Sequence, residues 1–83
     1  MKKQFRWDPE KNETLQKHRG VCFEMVVEEI LRGRSLDIAN PSASYPGQRM
    51  FLVHLSDYPH LVPFEEDEEA IRLITIIPSR KYK

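Results

Sequence analysis

The spacing of apolar residues changes period once along this chain, and that change limits the fold more than any other feature. From Phe23 to Leu31 the apolar side chains Phe23, Val26, Val27, Ile30 and Leu31 recur at helical intervals, while Glu24, Glu28, Glu29 and Arg32 take the other face. Gly33 can end that helix in a left-handed conformation. Beyond it the period becomes two, carried by β-branched, aromatic and aliphatic runs that Pro, Ser, Asn and Asp interrupt. These runs predict strands over Ser35 to Ala39, Arg49 to Leu55, His60 to Phe64 and Ile71 to Ile77. Asn40 to Gln48 is long for a hairpin loop, Ser56 to Pro59 makes a tight turn, and the acidic run makes the last one. Consecutive strands with short connections pair antiparallel, so the four form a meander.

Upstream, Gln4 to Trp7 alternates polar and apolar side chains, with Phe5 and Trp7 on one side, and predicts a short strand that joins the sheet at an edge. A helix start follows directly. Asp8 can accept from free first-turn amides, Pro9 needs no donor there, and Glu10 favours the positive helix end. This helix should run to about His18 and stop at Gly20. Cys22 stands where a capping Ser is expected, and a thiol accepts amide hydrogen bonds poorly, so the second helix start should be weaker by up to about 1 kcal/mol. The expected fold is α+β: two N-terminal helices packed on one face of a four- to five-stranded, mainly antiparallel sheet, in the order β-α-α-β-β-β-β. A chain of 83 residues has room for one hydrophobic core, so residues 1–83 read as a single domain.

Apolar residues at 40% and charged ones at 31% are globular rather than disordered usage. Thirteen basic and thirteen acidic side chains cancel, but the acids cluster at Glu65, Glu66, Asp67, Glu68 and Glu69, leaving a mildly basic body. Such a run reads as a solvated loop, with a partner-binding tip as the alternative. The lone Cys22 offers neither a disulfide nor a thiolate cluster, which fits a reducing compartment. No apolar stretch approaches the ~20 residues that span a bilayer, so the expected location is the cytoplasm, without a membrane partner.

The three histidines do not have metal-ligand spacing. A two-residue turn at Asp57 and Tyr58 would set Leu55 opposite His60 and leave His54 and His60 on opposite faces of the sheet. His18 has no second histidine at i+3 or i+4. Neither a metal nor another cofactor is expected. A Gly-rich phosphate loop, a nucleophile elbow and a Cys/His protease signature are missing from the sequence, and its paired carboxylates lie in the solvated run. What remains is basic residues near strand ends: Arg49, Arg72, and the tail Arg80, Lys81 and Lys83. Guanidinium forks match phosphate oxygens, so nucleic-acid contact is one reading of this set and a solvated sheet face the other.

The run Phe5-Arg6-Trp7-Asp8-Pro9-Glu10-Lys11, followed by Lys17-His18-Arg19-Gly20-Val21-Cys22-Phe23-Glu24, resembles the opening of BrnT-type toxins. The order of one strand, two helices, four strands and a basic end is also that family's, a variant of the RelE-like ribonuclease fold. When Gly20 to Glu24 are aligned with the family, Arg19 takes the place of its histidine and His18 that of its lysine, as in a divergent branch. The resemblance implies the toxin of a type II toxin-antitoxin pair, a metal-independent endoribonuclease neutralised by a ribbon-helix-helix antitoxin. The assembly would be a homodimer or a toxin-antitoxin hetero-oligomer.

Cleaving RNA without a metal requires a group that takes the 2′-hydroxyl proton, cations that stabilise the phosphorane, and a donor for the leaving 5′-oxygen. By the resemblance, Arg80 matches the arginine after the last strand and is the first candidate for the phosphorane. Arg49 falls near a basic position of the family's third strand, and Lys11 in the matched Asp-Pro-x-Lys run is an acid or phosphate contact. His18 is either the general base or a helix-surface histidine. Arg72 and Lys81 are candidate RNA contacts, and Trp7 either stacks on a base or anchors its strand in the core. Two other readings stay open: a non-catalytic module of the same fold that binds a protein, and a plain nucleic-acid-binding domain.

Overall fold

A computed structural model describes residues 3–39 and 49–82; the loop expected over residues 40–48 and the basic Lys83 lie outside the described residues. The elements are β1 (Gln4–Arg6), α1 (Pro9–Arg19), α2 (Phe23–Leu31), β2 (Ser35–Ala39), β3 (Arg49–Leu55), β4 (Tyr58–Glu66), β5 (Ala70–Leu73), β6 (Ile77–Pro78) and a terminal 3₁₀ turn, Arg80–Tyr82. The fold is α+β, with the order expected from the sequence and six strands rather than four or five. The sheet runs β1-β5-β4-β3-β2, with β6 also against β4. Its β2 to β5 form the antiparallel meander, and β1 joins at the edge by pairing with β5 in parallel.

Both helices are fixed by their ends. Asp8 Oδ1 accepts from the Glu10 N–H at 3.0 Å, Pro9 fills the first turn, and Gly20 (φ 69°) closes α1 by donating to the Gln16 carbonyl. α2 ends in a paired closure in which Gly33 (φ 74°) donates to Ile30 and Arg34 to Glu29. At its start Cys22 makes no capping bond, as expected. The cap comes from α1 instead: Asn12 Oδ1 accepts from the Phe23 N–H at 2.7 Å, and its Nδ2 donates to Glu24 Oε1 at 2.8 Å. Beneath the helices a single core joins Leu15, Phe23 and Val26 to Phe51, Val53 and Val62 of the sheet. Among the described residues no helix is long and apolar enough to cross a membrane.

Several strand ends differ from expectation: β1 stops at Arg6, β5 begins at Ala70, and β4 runs from Tyr58 to Glu66, which takes Glu65 and Glu66 out of the expected acidic turn. The β3–β4 turn is one residue earlier, at Ser56 and Asp57, both at positive φ (53° and 63°) as two-residue hairpin loops demand. Its length is unchanged, so side-chain parity survives: Val53 pairs with His60, and His54 lies on the opposite face, exposed. The larger difference lies in the strand expected over Ile71 to Ile77, which is broken. Leu73 pairs with Phe64 and Ile77 with Leu61, so three residues stand opposite two and one of them is extra. This bulge turns Ile76 into the core beside Leu73, both essentially buried (0% and 2% exposed) although three positions apart.

The cause is legible in β4. The Pro63 carbonyl accepts from Ile74 at 2.9 Å and the Pro59 carbonyl from Ser79 at 3.0 Å. A strand residue turns its nitrogen and its oxygen toward the same neighbour. Both donor-less proline nitrogens therefore face the β5–β6 side, where a continuous ladder cannot form.

Candidate functional site

α1 contributes only Leu15 to the core, which leaves its remaining surface for other work. Lys11, Thr14 and His18 follow one another at three and four residues and so stand on one helical face, with Lys11 and His18 about 10 Å apart along the axis. That face, Arg19 and Thr75 bound a cleft of about 430 Å³ floored by Leu15. The bulge is what brings Thr75 there, since it frees the stretch between β5 and β6 from the ladder. Arg19 Nη1 donates to the Ile76 carbonyl at 3.1 Å, tying the helix end to the same stretch. The guanidinium keeps its other N–H groups, and no carboxylate lines the cleft. The arrangement offers two cations, an imidazole and two hydroxyls around a space open to solvent, a set suited to an anionic oxygen cluster.

The other residues singled out in the sequence are dispersed. Arg49 opens β3 beside Asp37, pairing with its carboxylate and donating to its carbonyl at 3.1 Å. It stands opposite Phe64, whereas Arg80 follows the Ser79–Pro59 bond at the other end of β4. Five residue steps along β4, from Pro59 to Phe64, separate those ends by about 17 Å. Lys11 and His18 thus share a cleft, Arg80 lies three residues beyond its edge residue Ile77, and Arg49 is remote from it. Lys81 lies with Arg80 in the terminal 3₁₀ turn.

Trp7 packs on the core, its ring stacked on Phe23 at a centroid distance of 5.7 Å. With Arg72 it also lines a second concavity of about 350 Å³ bounded by Arg6, Asp67, Glu69 and Ala70. Asp67 Oδ1 accepts from the Glu69 and Ala70 amides, both at 2.8 Å, and these bonds hold its carboxyl below the usual range. His60, buried at 8% exposure, donates from Nδ1 to the Tyr58 carbonyl at 2.8 Å and is absorbed by the sheet. Among the described residues no group of three His, Cys, Asp or Glu side chains could hold a metal ion.

Sequence reasoning gave no role to Arg19 or Thr75. Arg19 could have been found from its helical spacing of eight to Lys11; Thr75 could not, because its position depends on the bulge. Compared with protein-family models, curated proteins and solved structures, the chain matches none.

Proposed function

We propose that this chain is a BrnT-like toxin that cleaves RNA in the cytoplasm without a metal, using the cleft on α1. The carrying observation is that Lys11, His18 and Arg19 line one cleft free of carboxylates. In this reading His18 takes the 2′-hydroxyl proton, and the 2′-oxygen attacks the adjacent phosphorus. Arg19 and Thr75 hold the non-bridging oxygens as charge builds, and Lys11 gives a proton to the departing 5′-oxygen. The products are a 2′,3′-cyclic phosphate and a free 5′-hydroxyl, so protons and bonds balance. Arg49 takes no part, since Asp37 already holds its guanidinium. A ribbon-helix-helix antitoxin is the proposed partner, supported by the sequence resemblance alone.

The test is purified protein with labelled RNA in excess chelator. Degradation to cyclic-phosphate ends is expected, with His18→Ala slower by about 10²- to 10⁴-fold, the range for loss of an acid-base group. Intact RNA at equimolar folded protein overturns the reading. Expression without the neighbouring gene should arrest growth; unimpaired growth would favour a non-catalytic protein-binding module.

A further inference from the structure

The second concavity is not explained by the chemistry of the cleft. Arg6 and Arg72 are directly paired on neighbouring parallel strands, so two like charges stand side by side at the sheet edge. Gln4 Oε1 takes one N–H of Arg6 at 3.3 Å, and among the described residues Arg72 has no hydrogen-bond or ion-pair partner. The cavity also includes Glu69, whose carboxylate is likewise unpaired among the described residues, while Asp67 is occupied in holding its turn. Arg6, Arg72 and the unpaired Glu69 thus border about 350 Å³, beside Trp7. A phosphate would gain from the arginines and be repelled by the acids, and an amine would meet the reverse.

We propose that this cavity binds a guanine base of the RNA strand whose phosphodiester lies in the cleft, an inference that rests on the cleft being an RNA site. Guanine carries two donors, N1–H and N2–H, on one edge and two acceptors, O6 and N7, on the adjoining edge. A carboxylate accepts both of the first, and an arginine fork donates to both of the second. Glu69 and Arg72 supply those two groups. Trp7, whose ring stacks on Phe23, borders the same concavity and so lies close to whatever fills it. Trp7 precedes the cleft's Lys11 by four residues and Arg72 precedes its Thr75 by three, so two short chain stretches link the cavity to the cleft.

Trp7 is the only tryptophan, so its fluorescence reports occupancy without requiring catalysis. Titration with guanosine monophosphate should give a saturable change. The adenosine, cytidine and uridine monophosphates should bind at least about fivefold more weakly, as should inosine monophosphate, which lacks the N2 donor. Glu69→Gln should erase the preference, and Arg72→Ala should weaken guanosine and inosine monophosphates, which carry both O6 and N7, more than the other nucleotides. A trinucleotide with a central guanosine should bind more tightly than the mononucleotide; the opposite order overturns the assignment to an RNA strand. No response to guanosine monophosphate, or an equal response to all four, overturns the proposal whether or not the protein cuts RNA. A selective response with uncut RNA overturns the cleft mechanism and supports the base site.

Discussion

Asn12 divides its side chain between two elements, accepting from Phe23 N–H with Oδ1 and donating to Glu24 with Nδ2. It supplies the cap that Cys22 withholds, so Asn12→Ala should destabilise the fold by about 1–2 kcal/mol in urea unfolding. Cys22→Ser should recover part of that loss in the Asn12→Ala background and gain little alone. A double-mutant cycle showing additive effects would refute the shared cap. The Glu24 carboxyl is held below its ordinary value of 4.5, mainly by the Asn12 amide, and Asp67 below 3.8 by the Glu69 and Ala70 amides. Both folded values are depressed, so their contributions are present above the unfolded values and lost as pH falls through the folded ones. Amide exchange at Phe23, corrected for intrinsic rate, should therefore accelerate only once pH has fallen below 4.5, and at Glu69 and Ala70 only below 3.8. The missing Cys22 cap was legible in the sequence. Its replacement was not, because Asn12 lies eleven residues from Phe23 and meets it only after two helices have packed.

At the scale of elements, α2 follows from helical spacing, which leaves one apolar face to be covered, whereas β3 is legible as a continuous apolar run, Met50 to Val53 being buried on both faces. Alternation failed at the bulge. It groups Leu73 with Thr75 and Ile77, whereas the structure groups Leu73 with Ile76. Ile76→Ala should therefore cost about 2–5 kcal/mol of unfolding free energy, against less than about 1 kcal/mol for Ile77→Ala at 44% exposure. A continuous strand would reverse that order. The two prolines of β4 held the missing clue, but their meaning depends on which neighbour their nitrogens face, and a sequence read strand by strand does not carry it. The β3–β4 turn places Ser56 and Asp57 in the left-handed region without a glycine. Asp57→Gly should therefore raise stability by a few tenths to about 1 kcal/mol in thermal unfolding.

For the whole molecule, the balanced charge makes binding depend on local clusters rather than on a general field. If Lys11, Arg19 and Arg6 all contact phosphates of a single strand, with Arg72 on a base, the logarithm of its binding constant should fall with the logarithm of salt at a slope of about −2. Salt-independent binding would argue against the strand lying over both concavities. How much of this site the sequence carried follows from the distance between its parts. Lys11 and His18 share one helix, so their convergence is set by helical pitch. Arg49 and Arg80 were grouped by charge, and the length of β4 separates them. The parallel pairing of β1 with β5 has a consequence for the order of synthesis. Gln4 meets Ala70, and Lys11 shares its cleft with Thr75, so each waits for a partner far downstream in the chain. A growing chain still held on the ribosome cannot close the sheet edge or wall the cleft until that downstream stretch has emerged. Whatever the cleft binds is thereby kept out until residues 70–77 have left the ribosome and folded back on the first strand and helix.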